Sequence, residues 1–333
     1  MADFALHDAS MRWQAWRADD RMMLSQLEAL HATNPPSRAV AIADAARVPR
    51  IIHHIWLGSP LPSDLAALVA TWRDLHPTWR HIMWDDAATA EFDLTNRAAF
   101  DAAANYGEKS DVLRYEILAQ MGGVYVDIDM ECVSAMDSLA ERYSFVVGIS
   151  NSGTVELNNA IVMSRAHHPI IEACVVAVAA NCATAMSTDP SLLPFQHARE
   201  EKRARAEKLV CTMGAFLSAD AAAALRTAHS PAPPPPADPI WTIARTGPGM
   251  LTRVFCAAIV ADADRDGDGD GDGSAAAAAG SIVGAIALPP TFFYPLPNSA
   301  RDEVRPFDAR GKEFCSEQTI CIHYWSQTWQ KKD

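Results

Sequence analysis

The stretch Gly122-Gly123-Val124-Tyr125-Val126-Asp127-Ile128-Asp129 decides how this chain is read. Val124–Val126 is β-branched and aromatic, so it predicts a strand, and that strand runs straight into acidic residues. Upstream, Val112, Tyr115, Leu118 and Ala119 recur at helical spacing within 108–121, and Gly122-Gly123 supplies the left-handed stop that ends such a helix. Open α/β sheets place their ligand crevice at the carboxyl ends of their strands, where this Asp-x-Asp stands. If the strand continues, Asp127 and Asp129 point the same way. Two carboxylates that close repel each other unless a cation lies between them. Hard oxygen donors suit Mg²⁺ or Mn²⁺, held together with a substrate phosphate. The ordinary reading of an isolated Asp-x-Asp, however, is a solvated strand end.

Working outward, Arg50-Ile51-Ile52-His53-His54-Ile55-Trp56 is a β-branched run closed by Gly58 and Pro60, hence a strand entering a loop. A helix is expected at 63–75, a strand at Arg80–Trp84 and a helical stretch at 85–104. Further strands are expected at Phe145–Ile149, Ala160–Met163 and Ile320–Tyr324, with helices around 169–180, 206–226 and 248–261. This alternation predicts an α/β sandwich around one mainly parallel sheet. Residues 10–31 have helical spacing and stop at Asn34-Pro35-Pro36, so residues 1–48 are read as a helical extension and 49–333 as the main domain. Six prolines make 231–239 an extended connector. The Asp-Gly run and the alanines of Asp262–Gly280 predict a disordered surface insertion. A calcium loop there would need Glu at its twelfth position, which is Ala275 counting from Asp264 and Ala277 counting from Asp266.

Hydrophobic residues make up 49% of the 333, enough for a real core, and that excludes a wholly disordered chain. The net charge is −13, and it excludes a nucleic-acid partner, which needs a concentrated basic surface. Seven scattered cysteines without a C-x-x-C pair predict reduced thiols and no zinc site. The chain has no apolar run long enough for a transmembrane segment, and Met1–Asp20 is too charged for a signal-peptide core. A soluble, cytoplasmic protein is therefore expected, free or docked on a membrane face.

Asp111 and Arg114 are three apart on the helix before the acidic strand and share a face. Spacing alone leaves two readings open: an exposed intrahelical ion pair, or two groups aimed at a polyhydroxyl ligand. Taken in order, Ile51-Ile52-His53-His54-Ile55-Trp56, Ser110-Asp111-x-x-Arg114-Tyr115 and Gly122-Gly123-x-Tyr125-x-Asp127-x-Asp129 resemble the D-x-D sugar-binding glycosyltransferases. That family includes initiating α-1,6-mannosyltransferases, inositolphosphoceramide mannosyltransferases and, more distantly, the catalytic domains of large clostridial glucosylating toxins. The resemblance covers about residues 49–165, with a weaker match at Thr246-Gly247-Pro248 and in the tail His323-Tyr324-Trp325-Ser326-Gln327-Thr328-Trp329.

The resemblance implies a GT-A fold and a metal-dependent transfer of a hexose from a UDP- or GDP-sugar to a glycan, lipid or protein hydroxyl, with retention. By the same resemblance Trp56 stacks on the base, Asp111 and Arg114 grip the donor sugar, and Tyr125 lines their pocket. Asp127 reaches ribose, sugar and the Mn²⁺ or Mg²⁺ ion, Asp129 binds that ion directly, and Asn159 lies near the sugar. In the tail, Tyr324 and Thr328 depart from the family's His-His-Trp-x-x-Ser-Trp pattern, while His323 and Trp329 keep their places. His323 is then either a metal or diphosphate contact or a buried strand-end histidine, Trp329 a substrate contact, and Trp325 core. A haloacid-dehalogenase-type phosphohydrolase would need Thr or Val where Glu131 stands. A catalytically silent sugar-nucleotide-binding module would use the same residues without turnover.

Overall fold

The computed structural model describes residues 18–39, 41–153, 155–182, 240–267 and 282–326. In chain order these form α1 (Ala18–Thr33), β1 (Ile51–Ile55), α2 (Ser63–Leu75), β2 (Arg80–Trp84), α3 (Asp86–Ala90), α4 (Arg97–Ala102) and α5 (Tyr106–Met121). Then follow β3 (Gly123–Val126), β4 (Met130–Cys132), α6 (Asp137–Arg142), β5 (Phe145–Ile149), β6 (Leu157–Ser164) and α7 (Pro169–Cys182). After 240 come α8 (Ile240–Arg245), α9 (Pro248–Gly267), β7 (Ala285–Leu288) and β8 (Cys321–His323), with short helical turns at Pro290–Phe293 and Ala309–Lys312.

Six strands make one sheet in the order β2-β1-β3-β6-β5-β7. β1 runs parallel to both β2 and β3, and β5 runs parallel to β7. β6 lies antiparallel between β3 and β5, so it alone opposes the sheet's direction. The sheet is therefore mainly parallel, as the alternating pattern predicts. Apart from the edge strand β2, its strand residues are almost all buried because both faces are covered. Val124 and Val126 join the core that holds α2, α6 and the 290–296 turn, while Tyr125 between them faces the core of α5, α7 and α9.

Three expected elements differ. The helical stretch 85–104 is broken at 91–96, because the Glu116 carboxylate draws in the backbone N–H groups of Thr95 (3.2 Å) and Asn96 (2.8 Å). The strand of the acidic motif stops at Val126. The Asp127 N–H makes a last bond to the Ala160 carbonyl (2.7 Å) before the chain turns at 128–129 into β4. β4 then pairs with β8 in a separate two-stranded ribbon that the sequence pattern did not reveal. Finally, α9 runs on to Gly267, so the segment expected to be disordered from Asp262 is helical through its first six residues. The expectations for residues 10–17, 206–226, 231–239, 268–280 and Trp329 lie outside the described residues.

Candidate active site at the ends of the strands

The turn Asp127-Ile128-Asp129 is pinned on each side by main-chain bonds from buried side chains. His54 Nδ1 bonds the Val126 carbonyl (2.9 Å), and the Trp72 indole N–H donates to the Met130 carbonyl (2.8 Å). The Tyr324 N–H donates to the Asp129 carbonyl (3.0 Å), tying the turn to the C-terminal ribbon. His53 works at the other end of β3. It accepts the Trp84 indole proton on Nδ1 (3.1 Å), so Nε2 carries the hydrogen that it donates to the Gly122 carbonyl (2.9 Å). Burial pushes the His53 imidazole down to about 4 and that of His54 to about 3, so both stay neutral. The histidine pair of the first motif thus holds the two ends of the acidic strand.

Around that turn the structure gathers most of the residues singled out by sequence. Arg114 is buried, and its guanidinium meets Asp111 Oδ1 at 3.1 Å, Asp127 Oδ1 at 3.4 Å and the Asn159 carbonyl at 2.6 Å. It also lies 4.2 Å over the Tyr125 ring. Burial works against its charge, but Tyr125, Asp127 and Asp111 outweigh that and hold it ionised. The exposed ion pair is therefore excluded: both partners are sequestered. The Tyr125 hydroxyl donates to Asp127 Oδ1 (2.6 Å), and Ser110 bridges Arg114 Nη2 (3.1 Å) to that hydroxyl (3.1 Å). Asn159 donates from Nδ2 to Asp111 Oδ1 (2.8 Å) and also meets the Tyr115 hydroxyl (3.1 Å). Its placement follows from a break in register: β6 carries residues 159–161 between the partners of Val147 and Gly148. Such bulges re-aim side chains next to functional sites.

The two acidic residues are not equivalent. Burial and the charge of Asp129 push the Asp127 carboxyl up, against the opposing pull of Arg114. Asp129 goes the other way. Burial disfavours its charge, yet His323 and the bonds from Ser326 hold its carboxyl well below the usual range. His323 Nε2 lies 3.3 Å from Asp129 Oδ1, while the Ser326 N–H (2.7 Å) and hydroxyl (2.8 Å) both donate to Oδ2. Trp325 makes this possible by taking φ +53°, uncommon for a bulky residue, so that the chain doubles back onto Asp129. The mutual repulsion expected from the Asp-x-Asp pattern is thus offset for Asp129 by the tail.

Asp127, Asp129 and His323 present ligand atoms within 4.8 Å of one another. This carboxylate–carboxylate–imidazole set suits a divalent cation such as Mn²⁺, which accepts both oxygen and imidazole donors. His323 also has a buried Nδ1 with no hydrogen-bond partner among the described residues, and its ring lies against Trp325 with centroids 4.3 Å apart. Trp325 is core, as expected, with its indole N–H on the Leu296 carbonyl (2.9 Å).

Asp129 also lines a cavity of about 580 Å³, which it shares with Trp56, Asp64, Arg301, Arg305 and Ser326. Trp56 and the acidic turn therefore open into one space. Sequence reasoning missed Ser326, Arg301 and Arg305. Ser326 stood inside the quoted tail, but nothing in the spacing aimed it at Asp129. The two arginines lie on a stretch without periodicity.

Residues 62–146 match the family described as "Glycosyltransferase sugar-binding region containing DXD motif". Inositol phosphoceramide mannosyltransferase 3 of Schizosaccharomyces pombe is 32% identical over 127 residues, which cover 37% of this chain and 35% of that protein. Mannosyl phosphorylinositol ceramide synthase SUR1 of Saccharomyces cerevisiae is 32% identical over 126 residues, covering 37% of this chain and 32% of that protein. The aligned part thus spans about a third of each of these relatives. Among solved structures, PaToxG glycosyltransferase aligns over 76% of this chain and 84% of its own, with a TM-score of 0.44 and 14% identity. Among the described residues no helix is long and apolar enough to cross a membrane. The stretch that matches this family, residues 62–146, is the one that carries Asp111, Arg114, Asp127 and Asp129.

Proposed function

We propose that this chain is a retaining glycosyltransferase of GT-A type that moves a hexose from a nucleoside-diphosphate sugar to a hydroxyl acceptor with the help of a divalent cation. One observation carries this reading: the Asp127–Asp129–His323 cluster opens through Asp129 into the same cavity as Trp56. A base against Trp56 would thereby leave its diphosphate near the carboxylates.

Asp127, Asp129 and His323 would hold a divalent cation, which would supply Lewis-acid neutralisation of the charge that develops on the leaving diphosphate. The protein does the rest. Trp56 offers an aromatic face to the base. Asp111 and Asn159, buried and already bonded to each other, offer a carboxylate and an amide to sugar hydroxyls. Arg114 fixes Asp111 and Asp127 relative to each other and keeps the local negative charge in check. Arg301 and Arg305 on the cavity wall add positive potential where the leaving group gathers negative charge. As the bond from the anomeric carbon to the phosphate oxygen breaks, the acceptor oxygen bonds that carbon from the same face, and its proton passes to the departing phosphate. That route needs no side-chain nucleophile.

Two of the curated relatives are named as a mannosyltransferase of inositol phosphoceramide and a mannosyl phosphorylinositol ceramide synthase, so mannose and a lipid-borne hydroxyl are the first donor sugar and acceptor to try. Glycan and protein hydroxyls follow. Calorimetric titration with GDP and UDP tests the donor site. The reading expects one of them to bind in the presence of Mn²⁺ and to lose most of that affinity in EDTA. Binding of neither, with or without Mn²⁺, overturns it.

A further inference from the structure

Asn105, the cap of α5, is followed at three-residue intervals by Glu108, Asp111 and Arg114, all three of them buried. The first three are met one for one by α8 and the residue that follows it. Asn105 Nδ2 donates to Thr242 Oγ1 (2.9 Å), Arg245 Nη2 is paired with Glu108 Oε1 (2.9 Å), and Thr246 Oγ1 donates to Asp111 Oδ2 (3.0 Å). Glu108, Asp111, Thr242, Arg245 and Thr246 are all buried. Thr246 Oγ1 also approaches the Thr242 carbonyl (3.2 Å), but its single proton goes to the nearer, charged acceptor.

These rungs matter for Asp111 because its other oxygen, Oδ1, is held by Arg114 and Asn159. With one oxygen bound, a carboxylate can still turn about its last bond. With Thr246 on the second oxygen, its plane is fixed. Gly247 closes the arrangement: a Cβ there would stand 2.9 Å from Ile243 Cα and 3.2 Å from Asp111 Oδ2, so only glycine lets the chain pass this close. The geometry points to Thr246 as a positioning residue, and to 240–247 as a clamp that sets the Asp111 carboxylate for the donor sugar.

The inference rests on the reading that Asp111 faces that sugar. Asp111 does not line the cavity shared by Trp56 and Asp129, so the clamp should act on the sugar and not on the nucleotide. Removal of the Thr246 hydroxyl at constant shape, Thr246→Val, isolates it. The assay is Mn²⁺-dependent hydrolysis of GDP-mannose and UDP-glucose, with GDP and UDP as inhibitors. We expect kcat/KM for the hydrolysed donor to fall about tenfold, the scale of one hydrogen bond to a charged group. The inhibition constant of the matching nucleoside diphosphate should stay within about twofold, and Thr246→Ser should restore most of the loss. If Thr246→Val does not fold, Thr246→Ala, which also removes the hydroxyl, carries the same comparison with the same expected split.

Unchanged donor turnover overturns the clamp, and so does an equal loss for sugar nucleotide and nucleoside diphosphate. A wild-type protein that is inhibited by the nucleoside diphosphate but shows the equal loss in Thr246→Val leaves the donor site standing and refutes only the clamp. A wild-type protein that hydrolyses neither donor and binds neither nucleotide overturns the donor reading and the clamp with it.

Discussion

Replacing Asp129 by Asn tests how the acidic turn is held. From the pattern alone, removing one of two neighbouring carboxylates should relieve repulsion and leave the fold as stable or more so. The structure reverses that sign. Burial works against the charge of Asp129, yet His323 and Ser326 outweigh it and favour the charged form. An amide at this position loses the His323 ion pair and the charge assistance in two bonds from Ser326. Charge-assisted bonds contribute about 1.5–3 kcal/mol and breaking a buried pair costs about 3–5 kcal/mol. Because an amide oxygen can still accept from Ser326, the expected loss is about 2–4 kcal/mol. Urea unfolding of both proteins in EDTA measures it. The loss should also depend on pH. Asp129, depressed, contributes above the unfolded carboxylate value of about 4 and loses its contribution as pH falls through its folded pKa. His323, raised because Asp129 outweighs its burial, contributes below about 6.5 and loses its contribution as pH rises through its folded pKa. The difference between the proteins should therefore be widest between about pH 4 and 6.5 and shrink as pH rises through the raised pKa of His323. An Asp129→Asn protein as stable as wild type across that window would refute the reasoning.

Trp56→Ala should weaken nucleotide binding by about 1–3 kcal/mol, the scale of base–aromatic stacking, with turnover at saturating donor much less affected. A fall in kcat alone would place Trp56 elsewhere. Arg114→Lys replaces a fork that reaches Asp111, Asp127, Ser110 and Asn159 by a point charge that cannot span them. It should cost about 3 kcal/mol or more in stability and abolish transfer, and calorimetric unfolding beside a turnover assay checks both. His54→Phe leaves the Val126 carbonyl without its buried donor, so unfolding should become easier by about 1–3 kcal/mol, with weaker Mn²⁺ binding as the turn loosens. Unaltered Mn²⁺ affinity would mean that His54 does not hold the site.

The framework was legible because it rests on local pattern. The β-branched run before Trp56, the helix 63–75 and the strand Arg80–Trp84 follow from periodicity, and Gly122 takes φ +63° at the end of α5 as its position predicts. The break at 91–96 was not legible, since it depends on Glu116, which acts on the backbone from another helix. β8 lies inside the strand expected at Ile320–Tyr324, whereas the three-residue β4 and its pairing with β8 from far along the chain were not legible. In the site, the resemblance pointed to Asp111, Arg114, Asp127 and Asp129 where spacing alone left two readings open. Their unequal electrostatics were not legible, because the low pKa of Asp129 comes from Ser326 and His323 at the far end of the chain. Thr246 shows the same limit, since only folding sets it on Asp111.

The most direct test is acceptor-free turnover followed by NMR, with GDP-mannose and UDP-glucose as donors and with Mn²⁺ or EDTA. The account predicts slow release of free hexose from one donor, dependent on Mn²⁺, with the retained anomer appearing first and no release by the Asp129→Asn protein. Release that ignores EDTA, or release that survives in Asp129→Asn, would contradict the metal role of the acidic turn. Release of the inverted anomer first would contradict retention, and no release from either donor would contradict sugar transfer itself.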